Sequence, residues 1–105
     1  MASSKEYLDF VLEQLSLSDS VSFRAMMGEY IIYCKGKVIG GIYDDRFLIK
    51  DVKSVKELMP DAVYELPYEG AKEMLLVDNL DNREFLKKLI ESAADDLPEK
   101  IKKKK

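Results

Sequence analysis

The most reactive side chain in the sequence belongs to Cys34, the single cysteine among 105 residues. A cysteine becomes a nucleophile or a redox thiol when a nearby cation or helix N-terminus lowers its pKa. Lys35 and Lys37 offer only a mild version of that effect, and the sequence contains no histidine to act as a base. We therefore expect an inert or partly buried thiol. A lone cysteine also excludes an intramolecular disulfide and favours a reducing, cytoplasmic compartment.

Three carboxylates, Asp44, Asp45 and Asp51, supply the oxygen ligands that Ca²⁺ or Mg²⁺ prefers. Their spacing matches no metal-binding loop, so we interpret them as a polar hairpin turn and a loop. Gly40-Gly41 is not followed by the helix that a phosphate-binding loop requires, and it predicts a bulge or a close backbone crossing. The sequence thus predicts a protein that is not an enzyme and binds neither metal nor cofactor.

The densest cluster of candidate binding residues lies between positions 24 and 30. One interpretation is a recognition surface for a protein partner, and the other is ordinary packing, which is the more frequent role of such residues. In the packing interpretation, Gly28 permits a turn, Met27 and Tyr30 fill the core, and Arg24 pairs with Glu29. The candidate partner-binding residues are Arg24, Met26, Met27, Gly28, Glu29 and Tyr30.

Three aromatic residues, Tyr43, Phe47 and Tyr68, also leave two interpretations open. Aromatic side chains are enriched at the centres of protein interfaces, which makes them candidate anchors for a partner. They are equally typical of half-buried strands, and we favour that interpretation.

A charge asymmetry separates the body of the chain from its end. Residues 1–99 carry 12 Lys or Arg and 20 Asp or Glu. An acidic body argues against a broad nucleic-acid surface, since binding to phosphates requires many basic contacts. We expect a domain over residues 1–97 and a disordered, lysine-rich tail over 98–105, which is either solubilising or makes weak, nonspecific nucleic-acid contacts. The candidate contacts are Lys100, Lys102, Lys103, Lys104 and Lys105.

The elements that position these residues follow from periodicity. Ser3 or Ser4 caps a first helix, whose apolar face repeats at helical spacing. Short β-rich runs follow, with hairpin turns at residues 34–37 and 44–45. Ser54 is predicted to cap a short inserted helix, and Asp81 followed by Glu84 predicts the start of a last helix. The apolar face of the first helix comprises Leu8, Val11, Leu12 and Leu15.

This order predicts an α+β fold. It contains an N-terminal helix, an antiparallel meander of about five to six strands with a short inserted helix, and a C-terminal helix. No apolar run approaches the roughly 18 to 20 residues that a membrane span needs, so no membrane association is expected. An exposed sheet edge makes pairing with a second copy, and hence a homodimer, a plausible arrangement.

Two blocks of the sequence resemble the N-terminal domain of the TfoX/Sxy family of bacterial competence regulators. The first block comprises FRAMMGEY at 23–30, YCKGKV at 33–38 and DDRFLIK at 44–50; the second comprises PYEGAK at 67–72, Met74 and DNRE at 81–84. The resemblance implies an α+β fold similar to type III secretion chaperones. It also implies a regulatory role in DNA competence or transcription, in some members together with the cyclic-AMP receptor protein. The chain ends where the second, helical domain of those regulators would begin.

Residues and resemblance together predict a non-enzymatic regulatory or adaptor module that acts through contacts with an unidentified protein partner. The alternative is weak nonspecific nucleic-acid binding through the lysine tail.

Overall fold

The computed structural model describes residues 4–78 and 80–97, which form three helices packed on one face of a six-stranded antiparallel sheet. This architecture confirms the predicted α+β fold. The elements are α1 (Lys5–Gln14), β1 (Val21–Met26), β2 (Glu29–Cys34), β3 (Lys37–Ile42), β4 (Phe47–Ile49), α2 (Lys53–Leu58), β5 (Tyr64–Glu65), β6 (Met74–Leu76) and α3 (Arg83–Asp96). Among the described residues, no helix has both the length and the apolar character needed to cross a bilayer.

The strands lie in the order β1-β2-β3-β4-β6-β5, so β1 and β5 form the two edges. The first four strands are joined by three two-residue turns, at Met27-Gly28, Lys35-Gly36 and Asp44-Asp45. Both residues of each turn have positive φ, which is the pattern of type I′ turns. Type I′ turns match the right-handed twist of the strands, so the short connections themselves dictate the meander. The turns predicted at 34–37 and 44–45 are confirmed.

Gly40 lies at a close crossing of β3 and β4. The β2–β3 register shifts between Ile32 and Tyr33, opposite this part of β3. A Cβ atom on Gly40 would collide with the carbonyl oxygen of Leu48 and lie 2.8 Å from the Cα of Ile49. The predicted bulge and close backbone approach at Gly40-Gly41 are therefore both present.

The core lies between the helices and one face of the sheet. Ile32 and Cys34 of β2 contribute to it, whereas Ile31 and Tyr33 on the opposite face are only half-buried. The helices supply one apolar stripe each, as the helical periodicity predicted. The buried helical residues in this cluster are Leu8, Val11, Val55, Leu86, Leu89, Ile90, Ala93 and Ala94.

Helix starts follow the predictions with two corrections. Ser4 caps α1 by accepting a hydrogen bond from the Tyr7 backbone N–H at 3.1 Å, as expected. The cap of α3 is Asn82 and not Asp81, because the Asn82 side chain accepts from the Phe85 N–H at 3.0 Å. Ser54 does not cap α2, where Val52 holds the cap position without a side-chain bond.

Ser54 connects α2 to α3 instead. Its backbone N–H donates to Asp96 Oδ2 at 2.7 Å, and its hydroxyl donates to the Ser92 carbonyl at 3.1 Å. These bonds occupy the groups that a helix N-terminus leaves free, and they fix the short helix on the long one.

Candidate functional site

The residues between 24 and 30 form one hairpin, in which β1 and β2 flank the Met27-Gly28 turn. We call this turn, with Met26 and Glu29 on either side, the hairpin tip. Met26 pairs with Glu29 across it, and the turn residues have φ values of 55° and 85°. Gly28 adopts its positive φ without steric penalty, as the turn interpretation of Gly28 predicted. Met27 adopts the left-handed conformation with a full side chain, which L residues other than Asn and Asp rarely do.

The two methionines of the tip point into solvent. Met27 is 97% exposed and Met26 is 50% exposed. The prediction that Met27 fills the core is therefore wrong, because a two-residue turn carries its side chains beyond the end of the sheet and away from the helices. Because the Met27 side chain is not buried, no packing energy offsets the strain of its backbone conformation.

Tyr30 behaves as a packing residue. Its side chain is half-buried against the core, and its ring meets that of Phe23 edge to face, with centroids 6.2 Å apart. Tyr30 pairs with Ala25 on one side and Ile42 on the other. The packing interpretation therefore holds for Tyr30, which anchors the base of the hairpin to the domain.

Arg24 and Glu29 occupy different places in the hairpin. The register sets Arg24 across from Ile31, and Glu29 across from Met26. The Glu29 carboxylate accepts a hydrogen bond from the backbone N–H of Asp44 at 3.2 Å, which ties the tip to the turn between β3 and β4. Arg24 is exposed on the face of the sheet opposite the helices.

That opposite face, which we call the open sheet face, is only partly polar. Strand alternation places on it a row of side chains from β1 to β6. Three residues of β1 on this face, Ser22, Arg24 and Met26, are exposed. The apolar residues that adjoin them, Ile31, Tyr33, Val38 and Leu76, are half-buried, and Leu48 of β4 is fully buried, so the face is open at β1 and β2 and covered at β4.

A groove of about 670 Å³ lies near the other end of the sheet, where Tyr43 and Tyr68 line its wall. Their rings are tilted with centroids 6.0 Å apart, and Tyr68 is 63% exposed. Burial raises the pKa of Tyr43, with smaller contributions from Tyr68 and Glu29. Phe47 lies in the core. Of the three aromatic candidates, Tyr68 alone is an exposed residue, Tyr43 is half-buried, and the strand interpretation holds for Phe47.

Cys34 lies in the core with no exposed surface. Burial, and then the carboxylate of Glu91, raise the pKa of its thiol. Hydrogen bonding with Ser18 and the charge of Lys35 oppose them with smaller effects, and Asp95 raises the pKa least. A protonated, enclosed thiol is the inert group that the sequence predicted.

The three carboxylates considered as cation ligands serve the fold. Asp44 and Asp45 form the β3–β4 turn, where Asp45 Oδ1 accepts from the Ser4 backbone N–H at 2.8 Å. Asp51 lies 3.5 Å from the ammonium of Lys56. The five lysines predicted to contact nucleic acid, and the tail itself, lie outside the described residues.

The sequence did not locate two surfaces. The first is the open edge of the sheet, which was expected without a strand being named and which is formed by β1; its six residues are exposed apart from a half-buried Val21. The second is an apolar groove between this edge and the end of α1, lined by Leu12, Leu15, Val21 and Phe23. The strand order is needed to see that no strand or helix of the described residues covers this edge.

Fold and surfaces together define a two-layer α+β domain with an exposed hairpin tip and an open sheet face. No family model matches the chain, and no solved structure matches it. It is 32% identical, over 80 residues, to an "Uncharacterized 12.7 kDa protein in trpE 5'region" of Spirochaeta aurantia, covering 76% of this chain and 70% of that protein. The chain belongs to the same family as this spirochaete protein.

Proposed function

We propose that the domain is a non-enzymatic adaptor or regulatory module that binds another protein through its hairpin tip and the adjoining open sheet face. The observation that carries the proposal is Met27, which is 97% exposed at a φ of 55°. The backbone of such a residue is strained, and its apolar side chain stays in water in the folded state as in the unfolded state, so no burial compensates for the strain. Strained positions concentrate at sites of function, which favours a contact role for this one.

The chemistry of the tip supports a protein as the partner. Methionine side chains are flexible and polarizable, so they adapt to varied apolar surfaces. Met26 and Met27 project next to Arg24, and arginine is enriched at interface centres together with aromatic residues and methionine. The half-buried apolar residues Ile31 and Tyr33 continue this surface across the sheet.

The resemblance to the competence regulators, together with the exposed side chains of the tip, supports a partner in a transcription or competence complex. We propose that role as the regulatory form of the same adaptor function. It requires that the partner recognise the tip and the open sheet face, and not the half-buried Tyr30.

The proposal is tested by quantitative affinity capture of the tagged full chain from the cells that produce it. Met27→Glu and Arg24→Ala are expected to lose the specific partner. Val63→Glu is the matched control, because Val63 is 57% exposed and lies outside the hairpin. Tyr30→Ala reports whether disturbing the base of the hairpin has the same effect. Equal recovery of every captured protein by Met27→Glu, Arg24→Ala and Val63→Glu would remove the tip from the account.

A further inference from the structure

We propose that β1 pairs antiparallel with β1 of a second copy about a two-fold axis at Phe23, which joins the two six-stranded sheets into one. This contact uses the edge of the sheet. It is therefore separate from the partner contact proposed for the hairpin tip and the open sheet face.

The backbone N–H and C=O groups along one side of β1 point away from β2. In an antiparallel strand, the N–H and C=O groups of alternate residues point to opposite sides. The carbonyl of Ser20 accepts a hydrogen bond from the Lys35 N–H at 3.0 Å, so the even-numbered residues of this segment point towards β2. The backbone groups of Val21, Phe23 and Ala25 point to the open edge, where no described residue bonds to them.

The backbone donors and acceptors on the open edge of β1 match those of a second β1 strand related by a two-fold axis. Phe23 lies midway between Val21 and Ala25, so a two-fold axis there sets Phe23 opposite the partner's Phe23 and Val21 opposite the partner's Ala25. All three outward N–H groups and all three outward carbonyls of each strand then find partners. A shift of one residue would set outward groups against groups that already bond to β2. A shift of two residues would again oppose outward groups but would leave Val21 or Ala25 without a partner in β1, so only the central register pairs all three residues.

The apolar side chains beside the edge also favour pairing with a second copy. Residues that face each other in this register lie on the same face, so the helices of both copies cover the same side of the joined sheet. The groove of about 420 Å³ lined by Leu12, Leu15 and Val21 then lies next to its counterpart. Phe23, which is 46% exposed, becomes covered at the junction. Removing this apolar surface from water favours association.

A second copy of the chain fits this edge because β1 contains no carboxylate that would repel it and neither a proline nor a bulge that would block strand pairing. The sequence has 20 Asp or Glu, yet β1 contains no carboxylate and its single charged residue is Arg24. In the proposed register Arg24 faces the partner's Ser22, so two acidic copies meet along a strip without opposed carboxylates. Sheet edges that remain single are usually protected by charged side chains, proline or a bulge, and the one charge of β1 is opposed here by a serine. The β1–β2 register is regular throughout, and β1 contains no proline.

Sedimentation equilibrium of the full chain over a range of concentrations measures its molecular mass and so tests for the dimer. Wild type is expected to approach twice 12.1 kDa. Ala25→Pro removes only an outward N–H, so it should keep the fold and halve the mass. Ala25→Val keeps that N–H and should remain dimeric. A wild type that stays monomeric at its highest soluble concentration, or a folded Ala25→Pro variant that still dimerises, would overturn the proposal.

Cysteine cross-linking tests the register and decides the question should Ala25→Pro fail to fold. An oxidised mixture of Ser22→Cys and Arg24→Cys chains is expected to form a covalent dimer, because these positions face each other as a pair that shares no backbone hydrogen bonds. Arg24→Cys mixed with Met26→Cys is the control and should remain uncross-linked. Equal cross-linking in both mixtures would overturn the register.

Discussion

At the scale of single residues, the strain at Met27 predicts a trade between stability and binding. Asparagine tolerates the left-handed conformation that the type I′ turn requires, whereas methionine does not. We expect Met27→Asn to raise the free energy of unfolding by about 0.5–1 kcal/mol. The melting temperature should rise by about 2–6 °C and partner capture should fall.

Lys35→Asn is the matched substitution, since Lys35 occupies the same position of the next type I′ turn, also at a φ of 55°. It relieves the same strain and leaves the tip intact, although it removes the ion pair with Asp95. Thermal melts and capture assays of both variants separate the two effects. Lower stability of Met27→Asn would mean that the methionine contributes to packing.

A second residue-scale prediction concerns Gly40. An added Cβ would collide with the backbone of β4, and backbone atoms cannot move aside as a flexible side chain would. Gly40→Ala should lower the free energy of unfolding by about 3 kcal/mol, at the upper end of overpacking effects.

Urea denaturation of Gly40→Ala and Gly36→Ala checks this prediction. Gly36 has a φ of 79° but open space around its Cβ position, so its substitution adds only backbone strain of about 1 kcal/mol. Equal losses for the two variants would contradict the steric account.

At the scale of elements, the contact between α2 and α3 predicts a pH dependence. Chiefly the hydrogen bond from the Ser54 backbone N–H, and to a smaller extent the charge of Lys53, hold the pKa of Asp96 below its ordinary value. A carboxyl group with a lowered folded-state pKa stabilises the fold above its unfolded pKa. That contribution disappears as the pH falls through the lower, folded value.

Asp96→Asn should therefore be less stable than wild type at pH 7, and the difference should shrink as the pH falls below the ordinary carboxyl pKa of 3.8. Urea midpoints at pH 7, 4 and 3 measure it. Asp61→Asn, which alters an exposed carboxylate in the loop after α2, is the control. A difference that is constant over this range would refute the assignment.

The helices, strands and turns were the features that the sequence predicted best. Helical periodicity and the turn residues Lys35-Gly36 and Asp44-Asp45 predicted the order of helices and strands because these signals are local. The cap of α3 was predicted one residue early, because Asp81 and Asn82 are both good caps and the sequence does not distinguish them. The exposure of Met27 follows from the tightness of its turn, whereas the open edge of β1 depends on strand order, which is a tertiary property.

At the scale of the whole molecule, the two proposals complement each other. Pairing of two copies about Phe23 places the hairpin tips at opposite ends of the joined β1 strands, roughly 25 Å apart at the usual rise per residue. The open sheet faces lie on the side away from all the helices. A dimer would therefore present two equivalent contacts to a partner, and a partner with two binding sites would gain affinity from engaging both.

Site-specific photo-cross-linking shows whether the hairpin tip touches another protein in the cell. A photoreactive amino acid is placed at position 27 and, in a separate strain, at position 35, which occupies the equivalent place in the neighbouring turn. We expect a discrete adduct with a second protein from position 27 and none from position 35. No adduct at position 27, or the same adducts at both positions, would contradict it.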